Sequence, residues 1–143
     1  MPSPKGISIF AFMIAVTTGM SAMAQDLRCG TSTIRLVCDR RDAQDNTCVA
    51  SHAEFILENG QTKIVNTPKG LDASQIPVEV DCEKGNGGEY VFIMFSNGGG
   101  PGTAIDLFKP DGAAITKNGK LLDRTVRELN ITPYSQPKTI ELQ

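Results

Sequence analysis

The stretch Tyr90-Val91-Phe92-Ile93-Met94-Phe95 decides the fold, because it is apolar at every position over the length of one β-strand. A strand that is apolar on both of its alternating faces is typical of a central strand covered on both sides. Such a strand requires a second layer of structure from the rest of the chain. We therefore expect a two-layer β-fold with residues 90–95 at its centre.

Short apolar runs separated by turn residues extend from this strand in both directions. This pattern is typical of an antiparallel β domain. The other predicted strands are residues 33–38, 49–57, 62–66, 78–82, 103–108, 113–117 and 138–142, the last as a closing edge strand. In residues 49–57, the alternate positions from Val49 to Leu57 form one side of the strand.

Three kinds of signal predict the connections between these strands. Asn59-Gly60 and Asn118-Gly119 are typical of type I′ hairpin turns, in which both central residues need a positive φ. Pro110 presets φ for a turn over residues 109–112. Residues 121–130 allow either a helix or a strand, and the helical spacing of Leu122, Val126 and Leu129 favours one short helix. The predicted class is mainly β: a two-layer antiparallel β-sandwich or a partly open barrel.

Residues 1–24 have the features of a secretory signal peptide. Lys5 precedes an apolar run at residues 7–16, and small residues follow, ending in Ser21-Ala22-Met23-Ala24. Signal peptidase recognises this order of regions, and the apolar run is shorter than the ~20 residues that span a bilayer as a helix. We therefore predict a signal peptide at 1–24 and a single domain at 25–143, without membrane insertion after cleavage.

All four cysteines follow the predicted leader, at Cys29, Cys38, Cys48 and Cys82. Four cysteines in a short exported chain indicate two disulfides, for which three connectivities exist. Cys38 ends one predicted strand and Cys48 begins the next, so a hairpin would place them together at its neck. This favours Cys38–Cys48 with Cys29–Cys82, while the other pairings stay open.

Composition and spacing argue against several classes of chemistry. The formal net charge of −2 does not attract nucleic acid. No C-x-x-C pair is present for redox catalysis, and a single histidine, His52, does not make a zinc site. We expect His52 to face solvent, and Glu79, Asp81 and Glu83 to form an exposed strand face. We predict no cofactor and no catalytic residue.

Two loops are the unusual parts of the predicted domain. The polar loop at residues 39–47 carries arginines that could pair with carboxylates of a partner. The glycine-rich segment at residues 97–102 exposes backbone N–H groups to a ligand or partner. Plain solvated connections are the alternative for both loops. The candidate partner-binding residues are Arg40, Arg41, Asp42, Asn97, Gly98, Gly99 and Gly100.

These features favour an exported, non-catalytic binding module, periplasmic or secreted. An inhibitor, an immunity-type protein or an envelope accessory protein would fit, with another protein or an envelope component as its partner and braced loops at the contact. A small secreted hydrolase is the first alternative, and it predicts a converging carboxylate pair with a raised pKa. The second alternative is a structural subunit that assembles through an open sheet edge, with residues 138–142 as the candidate strand.

Overall fold

Eight β-strands and one short helix make up the described part of the chain, which covers residues 25–98, 103–132 and 138–143 of a computed structural model. The predicted leader at residues 1–24 and the candidate residues Gly99 and Gly100 lie outside the described residues. The strands are β1 (Asp26–Cys29), β2 (Ser32–Arg41), β3 (Cys48–Ile56), β4 (Thr62–Val65), β5 (Ile76–Gly85), β6 (Gly88–Ser96), β7 (Ala104–Phe108) and β8 (Lys138–Glu141), and the helix α1 is Leu122–Glu128. No helix in this part of the chain is long and apolar enough to cross a bilayer.

The strands form two antiparallel sheets of four strands each. Sheet 1 has the order β1-β2-β3-β4, and sheet 2 has the order β7-β6-β5-β8. The two sheets pack face to face, and over the described residues they do not close into a barrel. The predicted mainly β, two-layer sandwich with one short helix is confirmed.

The core lies between the sheets and takes alternate residues from each strand. Phe55 of sheet 1 and Phe108 of sheet 2 meet there, with ring centroids 5.9 Å apart. A polar contact also joins the layers, because the Ser51 hydroxyl donates to the Pro77 carbonyl at 2.6 Å. The buried core residues are Leu27, Cys29, Ile34, Leu36, Ala53, Phe55, Val80, Cys82, Val91, Ile93, Phe95, Phe108 and Ile140.

Strand β6 is the predicted central strand, but its two faces differ in burial. Val91, Ile93 and Phe95 are fully buried in the core. Phe92 and Met94, on the other face, are half-buried and share a pocket with α1. A helix of 7 residues covers less area than a third layer would, so the prediction of burial on both faces holds fully for one face only.

The two Asn-Gly turns have different geometries. At Asn118-Gly119 both residues have positive φ, 57° and 70°, as a type I′ turn requires. At Asn59-Gly60 only the glycine does, with φ 84°, and the Asn59 side chain accepts a hydrogen bond from the Gln61 N–H at 2.9 Å. This Asx-type bond keeps Asn59 at negative φ and adds a residue to the loop, so the type I′ prediction is wrong there.

Residues 113–117 do not form the predicted strand. Ala114 makes one isolated bridge to Phe108. Beyond it, the Thr116 hydroxyl donates to the buried carboxylate of Asp106 at 2.9 Å. The same hydroxyl accepts a hydrogen bond from the Leu107 N–H at 3.0 Å, so a side chain takes the place of a backbone partner and the ladder stops after one bridge.

Two disulfides join Cys29 to Cys82 and Cys38 to Cys48, which is the favoured pairing. The first links β1 to β5 across the two layers, with Cα atoms 5.6 Å apart. The second links β2 to β3 at the neck of their hairpin, with Cα atoms 5.8 Å apart. Because such bonds persist in oxidising compartments, they indicate an extracytoplasmic location.

Candidate functional site

A groove lies along one side of the sandwich, between edge strand β4 and the segment that follows β7. Its volume is about 470 Å³, in the range of ligand pockets. Residues 63–69 form one wall, and residues 106–118 form the other. The lining residues are Lys63, Ile64, Val65, Asn66, Pro68, Lys69, Asp106, Phe108, Gly112, Ala114, Thr116, Lys117 and Asn118.

Asp106 fixes the second wall of the groove. The residue is 1% exposed, and its carboxylate accepts hydrogen bonds from the Thr116 hydroxyl at 2.9 Å, the Asn118 N–H at 3.0 Å and the Gly119 N–H at 2.9 Å. Burying a polar group is costly unless it is hydrogen-bonded in this way. Asp106 therefore holds the loop at residues 116–119 and is not a free base.

Three lysines surround the groove: Lys63 on β4, Lys69 after it, and Lys117 on the opposite wall. All three are exposed, and they take part in none of the ion pairs of the described residues. Apolar surface between them comes from side chains such as Val65 and Phe108. The groove thus combines an apolar floor with a positively charged rim.

His52 lies on the outer face of sheet 1 between two carboxylates. Its Nδ1 is 2.8 Å from Asp39 Oδ2, and its Nε2 is 3.0 Å from Glu54 Oε1. The side chain is only 14% exposed, so the expectation of a solvent-facing histidine is wrong: the flanking carboxylates cover the ring. Burial lowers the pKa of His52, but the hydrogen bonds to Asp39 and Glu54 outweigh burial and raise it overall.

The charges around His52 continue across the sheet with alternating sign. Arg35 lies opposite Glu54 in the β2–β3 pairing, and its guanidinium donates two hydrogen bonds to Asp26, at 2.7 and 3.0 Å. These bonds to Arg35 lower the pKa of Asp26. Opposite charges on neighbouring strands stabilise a sheet. Both ring nitrogens of His52 engage carboxylates, so a metal or a substrate would have to displace Asp39 or Glu54 to reach the ring.

Carboxylates also gather on the outer face of sheet 2. Glu79 lies opposite Glu141 in the β5–β8 pairing. Burial raises the pKa of Glu79, and the neighbouring carboxylates of Asp81 and Glu141 raise it further. Asp81 and Glu83 line a second pocket of about 230 Å³ beside α1. The face that alternation predicted to be exposed is half-buried, because α1 and β8 lie against it.

The polar loop of the β2–β3 hairpin is shorter than residues 39–47, because β2 extends to Arg41. The Arg41 guanidinium donates to the carbonyls of Asn46 and Gln143, and the Asp42 carboxylate accepts from the Gln44 N–H at 2.7 Å. Both side chains therefore stabilise the loop. Arg40 remains exposed.

Asn97 and Gly98 follow β6 and are also exposed. Gly98 has φ 83°, and its N–H donates to the Ser96 hydroxyl at 3.1 Å. A turn with glycine in the left-handed region explains this geometry. None of the described candidates from the two loops lines the groove.

Metal-ligating residue types converge at one place among the described residues. Atoms of Cys29, Cys82 and Glu89 lie within 4.8 Å of one another. Cys29 and Cys82 form a disulfide, so their sulfurs are not thiolates. A catalytic metal site takes about three histidine, cysteine or carboxylate ligands around one ion, and the described residues do not supply such a set.

Comparison with known proteins gives a partial similarity. The chain is 31% identical over 70 residues to a UPF0173 metal-dependent hydrolase of Heliobacterium modesticaldum. The match covers 49% of this chain and 28% of the hydrolase, so it spans about a quarter of that relative's length. No protein family and no solved structure matches significantly.

Sequence reasoning missed the groove and Asp106. One signal was available, because an aspartate in the middle of the apolar strand Ala104–Phe108 must find donors if it is buried. The three lysines gave no signal, since they are far apart in sequence and exposed lysines are common.

Proposed function

We propose that this chain is an exported, non-catalytic binding module whose partner docks in the groove beside β4. The chemistry of the groove carries the proposal. An apolar floor and three rim lysines suit binding, and the one lining carboxylate, Asp106, is already held by three donors. Among its described lining residues, the groove offers no histidine, cysteine or serine to act as a base or nucleophile.

The environment of His52 supports the same proposal. It is the single histidine of the chain, and both of its ring nitrogens already contact carboxylates. It also lies on the outer face of sheet 1 and not among the residues of the groove. The ordinary general base at neutral pH is therefore both engaged and remote from the proposed binding surface.

The leader and the disulfides together support a periplasmic or secreted location. In that setting, a rigid stapled domain loses little conformational entropy when it docks. An inhibitor, an immunity-type protein or an envelope accessory protein would use such a domain.

The proposal is tested by affinity capture from envelope extracts with the oxidised protein. We expect the unaltered protein to retain a partner that a K63E/K69E/K117E variant loses. A matched control, K84E, reverses an exposed lysine of β5 outside the groove and should retain the partner. Failure to capture any partner, combined with hydrolysis of a glycan, ester or peptide by the purified protein, would contradict the proposal.

A small hydrolase that uses carboxylates is the second candidate. The raised pKa of Glu79 beside Asp81 and Glu141 favours it, as does the partial similarity to a protein named as a metal-dependent hydrolase. The described residues do not fit a metal centre, so this chemistry would rest on the carboxylates. Under this candidate, E79Q abolishes a measured hydrolysis, while E58Q, at an exposed glutamate outside the cluster, leaves it unchanged.

A further inference from the structure

The outer edge of β4 has unused backbone hydrogen-bonding groups. Strand β4 (Thr62–Val65) is the last strand of sheet 1, and within the described ranges its one ladder is with β3. Among the described residues, its backbone makes no hydrogen bond beyond that ladder. An unpaired edge of this kind is a template for an added strand, and this is a recurring way of binding extended peptides.

Positively charged side chains surround this edge, and they determine which added strand would bind with favourable electrostatics. Lys63 lies on β4 itself, and Lys69 and Lys117 stand on the two walls of the groove. Their ammonium groups have no carboxylate partner among the described residues, and the lining carboxylate of Asp106 is occupied. Complementarity therefore favours a ligand that carries several carboxylates.

The same charges disfavour a second copy of this chain. Pairing β4 with β4 would bring the Lys63 side chains of the two copies onto one sheet edge. Like charges on adjacent strands are destabilising, and lysine on an edge strand is a common device against self-pairing. The complementary partner is thus a different, acidic polypeptide.

The wall opposite β4 is fixed before a ligand arrives. Asp106 holds residues 116–119 through three hydrogen bonds. The Gly112 region packs against the opposite wall, where a Cβ on Gly112 would come within 2.8 Å of Lys63 Cδ. A groove with both walls in place reduces the ordering cost of binding.

We propose that the groove binds an extended acidic segment of another protein as a fifth strand on the outer edge of β4. Lys63 and Val65 lie opposite the buried Phe55 and Ala53 in the β3–β4 pairing, so both face the inner side of sheet 1. The groove-facing side chains of the segment would therefore be acidic and apolar in turn, with the apolar ones at Val65 and Phe108. Its carboxylates would reach Lys63, Lys69 and Lys117. This inference rests on the proposed binding function and adds the class of ligand and its backbone geometry.

The test uses four fluorescently labelled hexapeptides and the oxidised full chain. The acidic peptide is Glu-Thr-Val-Thr-Glu-Thr, in which the glutamates and the valine share one face, and the basic peptide has lysine in place of glutamate. The other two are the acidic peptide with one or the other set of alternate backbone nitrogens methylated. We expect saturable binding of the acidic peptide and of one methylated register, and no binding of the basic peptide. Methylation removes the N–H donors on one edge of the peptide, so both methylation registers are made, and the register that faces β4 should not bind.

Variants locate the interaction. Exposed ion pairs contribute up to about 1 kcal/mol each. K63E should therefore lower the affinity for the acidic peptide about fivefold, and K63E/K69E/K117E should lower it at least about tenfold. The affinity of K84E for the acidic peptide should stay within about twofold of that of the unaltered protein. Amide chemical shifts should change at residues 62–65 on addition of the acidic peptide, and thermal unfolding of each variant confirms that it is folded.

Other outcomes overturn the inference. Absence of peptide binding at millimolar concentration does so, as does equal binding of the acidic peptide and both methylated forms. A concentration-dependent dimer through β4 would assign the edge to a second copy. If the peptides fail while the protein still captures a partner that K63E/K69E/K117E loses, the binding function stands and only strand addition is wrong.

Discussion

At the scale of single residues, His52 shows how two neighbouring carboxylates change the exposure and the pKa of a side chain. Alternation along β3 correctly predicts that it faces away from the core. It cannot predict that Asp39 and Glu54 flank the ring, because the Asp39 contact depends on the irregular register between β2 and β3 near Arg40. In the folded protein, the His52 ring bridges the carboxylates of Asp39 and Glu54.

The raised pKa of His52 predicts a dependence of stability on pH. A histidine whose pKa is higher in the folded state than its usual 6.5 stabilises the fold below that pH, and this contribution is lost as pH rises through the folded-state value. We expect the free energy of unfolding in urea to fall as the pH rises above about 6.5. H52Q should reduce this dependence of the free energy of unfolding on pH. An unchanged dependence in H52Q would contradict the role of His52.

Asp106 provides the second prediction at this scale. D106A removes the acceptor of the buried Thr116 hydroxyl and of two part-buried N–H groups, and an unsatisfied buried group costs about 1–3 kcal/mol. We expect a loss of about 3 kcal/mol in the free energy of unfolding, measured by urea denaturation. D111N is the matched control, because Asp111 is exposed and asparagine keeps the acceptor oxygen for the Ala113 N–H. Its loss should be under about 0.5 kcal/mol, and equal losses in the two variants would refute the role of Asp106.

At the scale of elements, the strands follow from hydrophobic alternation, whereas the turns and the loop at residues 113–119 follow from side-chain hydrogen bonds. Period-two patterning depends on one strand at a time, so it was sufficient for β2, β3 and β5, and the continuous apolar run was sufficient for β6. The ends of elements depend on local polar contacts, such as Asn59 to Gln61 and Thr116 to Asp106. These contacts changed the Asn59-Gly60 turn and removed the predicted strand at residues 113–117.

Gly112 gives a prediction for the turn between β7 and the groove wall. Gly112 and Gly60 have the same φ of 84°, so alanine at either position carries the same left-handed penalty of about 1–2 kcal/mol. A Cβ at Gly112 would also lie 3.3 Å from Phe55 Cγ, whereas nothing lies within 4 Å at Gly60. We expect G112A to lower the melting temperature more than G60A, and the reverse order would show that the turn is not packed against the sheet.

At the scale of the whole molecule, the two disulfides have different structural roles. Cys29–Cys82 joins the two layers from within the core, and Cys38–Cys48 braces one hairpin. The chain-entropy account gives about 4 kcal/mol for the longer ring and about 3 kcal/mol for the shorter one. Cys29 and Cys82 are also buried, so their loss leaves a defect in the core.

We therefore expect C29A/C82A to be less stable than C38A/C48A in urea denaturation under non-reducing conditions. The C38A/C48A variant should keep the β-sheet circular dichroism spectrum of the unaltered protein. A larger loss from C38A/C48A would show that the hairpin, and not the junction between layers, limits stability.

The two-layer architecture was predictable from residues 90–95 because a strand that is apolar on both faces needs cover. The groove was not predictable, since it forms where the edge strand of one sheet faces a loop from the other. Residues 63–69 and 106–118 come together only after both sheets have formed and packed. Local patterning contains no information on that contact.

The two disulfides are nested along the chain, because the ring closed by Cys38–Cys48 lies inside the ring closed by Cys29–Cys82. Residues 63–69 of the groove are within the larger ring, and residues 106–118 are in the linear part that follows it. A single peptide-bond cut within residues 30–81 leaves all pieces covalently attached. A single cut at residues 109–111 separates the chain into two pieces on denaturation. Most of the second wall of the groove then leaves with the C-terminal piece, while residues 63–69 stay in the disulfide-closed ring.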